Sequence, residues 1–491
     1  MSILVIDVGS SAVRGSVTRP DGTVVARRQL AVPAQRPMAG LVELDGAVLA
    51  RAVLEVARSC LAEAGPVAGV GVANQRGTTL VWDAATGEPI GPALSWQDLR
   101  TAGTCLELQA EGLRLAPNES ATKLAWLLDA FDPDRRRDLR FGTLDTWVIW
   151  QLTGGRAHVT DPTNAAITGL LPTEAVLAGT AAIAWDPYRL QRFRVAEACM
   201  AKVVPSSGTV AEASALPGAP PICGIAGDQQ ASLMGQGCVR PGDAKATFGT
   251  GAFLDVNIGG APPGFGRSGN KRGESGSFPI IAWERDGALT WGVEGIMLSA
   301  GDALAWLVDG LGLLSGPAES ADVAGRCQDT GDVFYVPALM GLGTPYWDFG
   351  ARSLLIGMSP DTGRPELVRA VLRGIAHRGA DMLEAAESDS GHAVARLRAD
   401  GGMTANPVFV QELADACRRP VEISAELEAT SLGAAFLAGL GVGTWSSLDD
   451  VAAVAKPRLV VEPAGPDRRA RWKDAVSRCQ RWVPELSALD F

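Results

Sequence analysis

Two aspartates in this sequence stand at the polar ends of apolar, strand-like runs. Asp7 ends "ILVID" and precedes a glycine turn, and Asp228 lies in "AGDQQ" between a glycine and two glutamines. An aspartate at the end of a strand is often only a cap or an Asx-turn. The neighbours of Asp228 are less usual, because they place several polar side chains at the rim of a buried element. A functional interpretation makes one acid a metal partner and the other a general base.

An arginine follows another apolar run, in "GVANQRGTTLVW" (residues 71–82). Arg76 lies between Gln75 and Gly77, where its guanidinium either clamps a ligand or forms the polar corner of a turn. The residue types alone leave both interpretations open.

Three glycine-rich turns follow strand-like runs: "DVGSS" (7–11), "FGTGA" (248–252) and "DGGMTAN" (400–406). Glycine lets the backbone approach a phosphate closely, and the exposed N–H groups of such turns form an anion cradle. Each turn alone is equally typical of an ordinary β-turn. The sequence contains neither a G-x-x-x-x-G-K-[ST] loop nor a strand-linked G-x-G-x-x-G motif. A bound nucleotide would therefore need another geometry.

Composition excludes several classes of function. The chain has 491 residues, which predicts two or more domains, and its net charge is −11 without any basic block. Binding to nucleic acid or to an anionic membrane surface is therefore not expected. No stretch approaches the ~20 apolar residues of a transmembrane helix, and the first residues lack the basic region of a signal peptide. We expect a cytoplasmic protein.

The cysteines and histidines indicate no metal site. The eight cysteines are scattered singly and form no C-x-x-C motif, which favours buried, reduced thiols over disulfides or a zinc site. The three histidines are too few and too dispersed for a metal centre or a serine triad.

The elements that position these residues alternate between strands and helices. The "PDG" at 20–22 predicts a hairpin turn, the spacing of apolar residues predicts a helix over 46–63, and "VAGVGVANQ" returns to a strand. This order indicates an α/β domain. Pro and Gly cluster before a fresh strand-like run, which predicts domains at 1–240 and 241–491. The second half repeats the first in outline, and the chain ends in an amphipathic helix.

Blocks that run in order through almost the whole chain resemble the FGGY family of carbohydrate kinases, and within it the glycerol kinases. They include "IDVGSS", "NQRGTTLVWDAATGEPIGPALSWQDLRT", "AGDQQASL", "FGTGAF", "VEGIMLSAGDALAWL" and "DGGMTANPVFVQELAD". The resemblance implies an α/β fold with two ribonuclease-H-like (actin-like ATPase) domains and a catalytic cleft between them. It also implies that ATP and Mg²⁺ lie mainly against the second domain, and a small polyol or sugar against the first.

The resemblance further implies the roles of individual residues. Asp228 would be the general base, and Asp7 and Asp228 would hold Mg²⁺, Asp7 through water. The residues implied for the nucleotide are Ser10, Ser11, Arg14, Thr250, Gly301, Gly402 and Asn406. The residues implied for the polyol or sugar are Arg76, Gly77, Asn118, Asp228, Gln229 and Phe253.

Three positions depart from the glycerol kinase pattern. Gly77 replaces a glutamate that binds glycerol, Asn118 aligns with a pocket tyrosine, and Ala305 aligns with a glutamine on the nucleotide side. A buried hydrogen bond to a charged group contributes about 1.5–3 kcal/mol, so losing it should weaken glycerol binding. The loss of an acid and an aromatic ring should also leave more room. We therefore expect a longer polyol or a sugar as substrate, with glycerol demoted.

The predicted activity is transfer of a phosphoryl group from ATP to a hydroxyl, by positioning and charge stabilisation. Two alternatives stay open at this point. One is a nucleotide switch or filament protein that shares only the ATPase core, against which the "AGDQQ" and "NQR" blocks count. The other is a catalytically impaired relative that acts as a sugar or nucleotide sensor. The resemblance also implies a homo-oligomer, a dimer or a tetramer.

Overall fold

The computed structural model describes residues 1–265, 272–425 and 428–489. The strands of the first half are β1 Ile3–Val8, β2 Ala12–Thr18, β3 Val24–Ala31, β4 Glu43–Leu44, β5 Gly69–Asn74, β6 Leu80–Asp83, β7 Ala93–Leu94, β8 Leu139–Gly142, β9 Val159–Thr160, β10 Lys202–Val203, β11 Ser207–Glu212 and β12 Pro221–Gly227. Those of the second half are β13 Ala244–Phe248, β14 Ala252–Gly259, β15 Phe278–Arg285, β16 Ala288–Met297, β17 Phe334–Val336, β18 Leu354–Ile356, β19 Leu397–Asp400, β20 Val421–Ser424 and β21 Pro457–Val461.

The helices of the first half are α1 Gly46–Ala64, α2 Ala102–Ala110, α3 Ser120–Phe131, α4 Leu144–Leu152, α5 Pro162–Ala166, α6 Thr173–Leu177, α7 Pro187–Arg192 and α8 Asp228–Gly235. Those of the second half are α9 Gly301–Ala305, α10 Ser320–Ala324, α11 Arg364–Ser390, α12 Pro407–Cys417, α13 Ala429–Gly441, α14 Leu448–Val454, α15 Arg469–Cys479 and α16 Pro484–Ser487.

One sheet of thirteen strands runs through both halves, in the order β21-β20-β19-β13-β14-β16-β15-β11-β12-β5-β1-β2-β3. Each half contains the same unit, an antiparallel meander whose first strand pairs in parallel with later strands. In the first half β1 pairs with β2 and, in parallel, with β5; in the second, β13 pairs with β14 and, in parallel, with β19. The outline repeat predicted from the sequence is therefore present in the topology.

The predicted hairpin, helix and strand of the first domain are confirmed. β2 and β3 pair antiparallel around the turn at residues 19–23, where Gly22 has φ +87°. Asp45 caps α1 by accepting hydrogen bonds from the backbone N–H groups of Ala47 and Val48. All six residues of β1 are buried, because strands and helices cover it on every side.

Helices α8 and α13 cross at very close range through two glycines. A Cβ on Gly433 would lie 1.7 Å from the carbonyl oxygen of Ala231, and a Cβ on Gly235 would lie 1.9 Å from that of Ala429. α13 also packs against β1, β5 and β12, while α8 packs against β14 of the second half. The crossing therefore fixes the helix that begins at Asp228 relative to both halves of the chain.

Other expectations from the sequence are also met. All eight cysteines are buried and free. The helix predicted at the end of the chain is α15, whose Trp472 is fully buried and donates hydrogen bonds to Asp381 of α11. None of the helices in the described ranges is long and apolar enough to cross a membrane.

Replacing Gly433 by alanine should destabilise the protein, because the new Cβ would overlap the Ala231 carbonyl and force the two helices apart. Overpacking of this kind costs about 1–3 kcal/mol. Gly103→Ala in α2 is the matched control, since no heavy atom lies within 4 Å of its Cβ position. Thermal unfolding should show a lowered midpoint for Gly433→Ala alone. Equal midpoints for the two variants would contradict the crossing.

Candidate active site

Three neighbouring parallel strands bring the predicted site residues of the first half to one edge of the sheet. β5 lies between β1 and β12, and Val8, Asn74 and Gly227 are aligned across the three strands. Because the carboxyl ends of parallel strands lie at one edge, Asp7, the segment Gln75–Gly77 and Asp228 come together there. The two aspartates and the arginine singled out in the sequence therefore lie at the same edge of the sheet.

Each residue of the "NQRG" turn is held by a different part of the chain. The Asn74 side chain exchanges hydrogen bonds with Asn164 (2.8 and 3.2 Å). Gln75 accepts a hydrogen bond from Ser10 Oγ (3.1 Å) and donates one to the carbonyl of Gly9 (3.3 Å). The turn is therefore fastened to the first glycine-rich loop, and the backbone around Arg76 is fixed from both sides.

Arg76 extends between two carboxylates. Its Nη2 donates to Glu294 Oε2 at 2.6 Å, and its Nε lies 3.6 Å from Asp228 Oδ1. Its side chain is only 10% exposed, whereas that of Asp228 is 32% exposed. Burial alone would lower the pKa of Arg76, but Glu294 and Asp228 outweigh it and raise that pKa. The side chain is thus a charged group held in a fixed position by two carboxylates.

Asp228 is the first residue of α8 and Gln229 follows it into a buried ionic cluster. Gln229 Oε1 accepts a hydrogen bond from Lys245 Nζ (2.6 Å), and Lys245 also pairs with Asp255 at 2.7 Å. Enclosure in this site raises the pKa of Asp228, although Arg76 and Lys245 oppose the shift. A carboxylate whose pKa is moved towards neutrality, with part of its surface open, suits a general base.

Gly77 does not border a void. Its φ is +72°, and a Cβ there would lie 2.4 Å from the carbonyl oxygen of Asn118. Lys123 holds this arrangement by donating from Nζ to the carbonyls of Gly77 (2.7 Å), Ser95 (3.1 Å) and Asn118 (3.2 Å). The expectation that the missing acid leaves more room is therefore not met on this side of Gly77, because the Asn118 backbone closes it.

Asp7 lies beside Arg14, with 3.5 Å between Asp7 Oδ2 and Arg14 Nη1. Burial raises the pKa of Asp7 to about 7; Arg14 opposes the shift, and the charges of Glu428 and Asp228 add to it. A divalent cation would relieve the repulsion between the two aspartates. Mg²⁺ often takes only one or two protein carboxylates and completes its shell with phosphates and water. The pair Asp7 and Asp228 fits such a site, and no group of three or more acidic, His or Cys ligands occurs within the described ranges.

The second and third glycine-rich turns meet in the other half of the chain. The backbone N–H of Gly301 donates to the Gly249 carbonyl (2.9 Å), and the Thr250 carbonyl accepts from Ala300 (2.9 Å). Gly401 has φ +87° and packs directly on Phe248, while the Cβ position of Gly402 has no neighbour within 4 Å. The second turn thus contacts both Gly301, which is half-buried, and the third turn, while Thr250 and Gly402 are exposed.

The remaining predicted site residues lie on exposed turns, at helix ends or on a strand. Ser10, Ser11 and Thr250 are exposed on their turns. Asn406 caps α12 by accepting from the N–H groups of Val408 and Phe409, and it donates to Ser320 Oγ (3.0 Å). Ala305 ends the short helix that begins at Gly301. Phe253 is half-buried on β14, one residue after the strand begins beside the Thr250 turn.

Sequence reasoning missed three side chains of this site. Glu294 contacts Arg76, Lys245 contacts Gln229, and Trp96 Nε1 donates to Ser10 Oγ at 3.4 Å. A signal for two of them exists in the sequence, since Glu294 and Lys245 are charged residues inside the apolar strands "WGVEGIM" and "AKATF". A charge is rarely fully buried unless it is paired, so both positions pointed to ionic partners.

Fold and site together define a two-domain phosphotransferase with an alcohol acceptor. The model of the N-terminal domain of the FGGY family of carbohydrate kinases matches residues 2–235, and that of the C-terminal domain matches residues 244–442. The chain belongs to this family, and it is an ATP-dependent kinase of a sugar or polyol.

Relatives across the full length carry more specific names. The glycerol kinase of Bordetella parapertussis is 39% identical, with 98% of this chain and 97% of the relative covered. Glycerol kinase 2 of Thermotoga maritima is also 39% identical, with 98% and 99% covered. The crystal structure of Plasmodium falciparum glycerol kinase with ADP superposes with a TM-score of 0.86 at 28% identity, covering 100% of this chain and 99% of that one. The predicted family and fold class are confirmed.

The buried amine of Lys123 should make stability depend on pH. Burial lowers the pKa of Lys123 to about 7, so above pH 7 the unfolded chain binds more protons at this site than the folded chain does. The stability of the wild type relative to Lys123→Met should therefore rise with pH from 7 towards 10, by at most about 1.4 kcal/mol per pH unit.

Thermal unfolding across this pH range measures the difference. Lys202→Met, at an exposed lysine, is the control and should follow the wild type at every pH. A constant difference between the wild type and Lys123→Met would show that Lys123 is charged at neutral pH and contradict the shift.

Proposed function

We propose that this chain transfers the γ-phosphoryl group of ATP to a hydroxyl of a small, uncharged polyol or sugar, with Asp228 as the general base. The observation that carries the proposal is the position of Asp228. Its carboxylate is partly exposed and lies 3.6 Å from Arg76 Nε. Asp228 is also the first residue of a helix that directly follows the strand beside the "NQRG" turn. A hydroxyl bound to Arg76 would therefore be within reach of the base.

The reaction requires little covalent chemistry from the protein itself. Asp228 accepts the proton of the attacking substrate hydroxyl. The oxygen of that hydroxyl bonds to the γ-phosphorus while the bond from the γ-phosphorus to the β,γ-bridging oxygen breaks. The products are ADP and a phosphate monoester. The N–H groups of the turns at 9–11 and 249–251, with Arg14, would bind and orient the phosphates. Asp7 and Asp228 would hold Mg²⁺, which neutralises charge on the phosphates when it is bound.

The closing of the cleft would keep water away from the phosphoryl group. Arg76 of the first half and Glu294 of the second form an ion pair, so the two walls already meet beside the base. Exclusion of water limits hydrolysis of ATP and strengthens the interactions inside the site.

The identity of the acceptor rests on two opposing considerations. Full-length relatives named glycerol kinase favour glycerol. Gly77 offers no carboxylate, and Asn118 no aromatic ring, to a bound glycerol. We propose that the site accepts glycerol more weakly than a site with the acid would, and that longer polyols or sugars compete with it.

Asp228→Asn should lower kcat by about 10²–10⁴-fold, because the amide cannot take the proton. Binding of a non-hydrolysable ATP analogue, measured by calorimetry, should be retained, since the glycine-rich turns are unchanged. Asp243→Asn removes a carboxylate of the chain segment before β13 and serves as the control. Turnover of Asp228→Asn within threefold of the wild type would refute the base assignment.

A screen of ADP release over C3–C6 polyols, aldoses and ketoses identifies the acceptor. We expect a kcat/KM for at least one C4–C6 compound that equals or exceeds that for glycerol. A strong preference for glycerol would contradict our interpretation of Gly77 and Asn118. Binding of sugar and ATP without any turnover would instead favour the sensor alternative over an enzyme.

A further inference from the structure

The proposed substrate clamp is part of a buried ionic cluster that the two halves of the chain build together. Arg76 and Asp228 come from the first half, and Lys245, Asp255 and Glu294 from the second. The side chains of Lys245 and Asp255 are fully buried, and that of Glu294 is 5% exposed. The cluster therefore contains three carboxylates and two cations, and its net charge is negative when all five groups are ionised.

The pairing within the cluster is set by the sheet. Asp255 on β14 and Glu294 on β16 are directly opposite each other across an antiparallel pair, so their side chains lie on the same face. Lys245 on β13 is opposite Asp255 in turn and pairs with it at 2.7 Å. Because Lys245 compensates Asp255, the carboxylate of Glu294 is directed to Arg76, whose Nη2 it holds at 2.6 Å.

We propose that Glu294 is a positioning residue that sets the charge specificity of the acceptor site: by fixing and neutralising Arg76, it favours uncharged polyols and sugars over sugar acids. The proposal rests on the proposed function. Without Glu294, only Asp228, 3.6 Å from Arg76 Nε, would compensate the guanidinium, and a less compensated cation attracts carboxylates.

The geometry explains why Glu294 acts through Arg76. Its carboxylate is buried behind the guanidinium, whereas Asp228 on the other side is about one third exposed. Glu294 thus leaves Arg76 Nε on the side of the base, where substrate hydroxyls would bind. A substrate carboxylate in the same place would meet Asp228 and the excess negative charge of the cluster.

The test compares Glu294→Gln with Glu294→Asp. Glutamine keeps the size and the hydrogen-bond acceptor but removes the charge, and aspartate keeps the charge. The probes are glycerol against D-glycerate and xylitol against D-xylonate, each pair differing by one carboxylate. Glu284→Gln, on the neighbouring strand β15 and outside the cluster, is the matched control.

In the wild type, kcat/KM for the neutral compound should exceed that for the acid. In Glu294→Gln the ratio of the neutral compound's kcat/KM to that of the acid should fall by about tenfold or more. The fall should come from a lower KM for the acid and a higher KM for the polyol, with kcat for the polyol less affected. Glu294→Asp should restore most of the wild-type ratio, and Glu284→Gln should leave that ratio unchanged.

A ratio within twofold of the wild type in a folded Glu294→Gln would overturn the proposal, as would equal behaviour of Glu294→Gln and Glu294→Asp. Calorimetric binding of polyol and acid to the same variants keeps the two proposals separable. If the wild type phosphorylates no compound of the C3–C6 screen, the proposed function fails, whereas the shift in relative binding still decides the role of Glu294.

Discussion

An arginine held between two carboxylates from opposite walls of a cleft is the interaction on which this structure depends. Arg76 would be costly to bury without partners, and Glu294 and Asp228 compensate that cost. The same pairing holds the guanidinium next to Asp228 and joins the two halves of the chain beside the candidate site. The arrangement converts a polar side chain on a loop into a fixed hydrogen-bond donor, which is the property that substrate positioning requires.

The fold supplies the precision behind this interaction. Asp228 can stand next to Arg76 because β12 and β5 end together, and its helix cannot shift because glycines bring α8 and α13 into backbone contact. The central sheet continues from one half to the other through the pairing of β11 with β15 at Ser207 and Arg285. The two halves of the chain are thus linked by hydrogen bonds within one sheet.

Local signals predicted much of this from the sequence. The hairpin at 20–22, the helix from Gly46, the aspartates at strand ends and the three glycine turns each depend on neighbouring residues, and collinear motifs identified the family. The contacts around Arg76 and Gly77 join distant segments. Arg76 and Glu294 are 218 positions apart, and the carbonyl of Asn118 that closes Gly77 is placed by a buried lysine. Neither pairing follows from spacing or periodicity, and for that reason the sequence alone does not show that the Asn118 backbone fills the Cβ direction at Gly77.

The central claim is that the cleft delivers the γ-phosphoryl group of ATP to an alcohol and not to water. Incubation with γ-labelled ATP and a mixture of small polyols and sugars, followed by separation of the products, tests it most directly. The account predicts label in an acid-stable phosphate monoester, with little in inorganic phosphate. Label found only in inorganic phosphate, or retained in ATP with every acceptor, would contradict it.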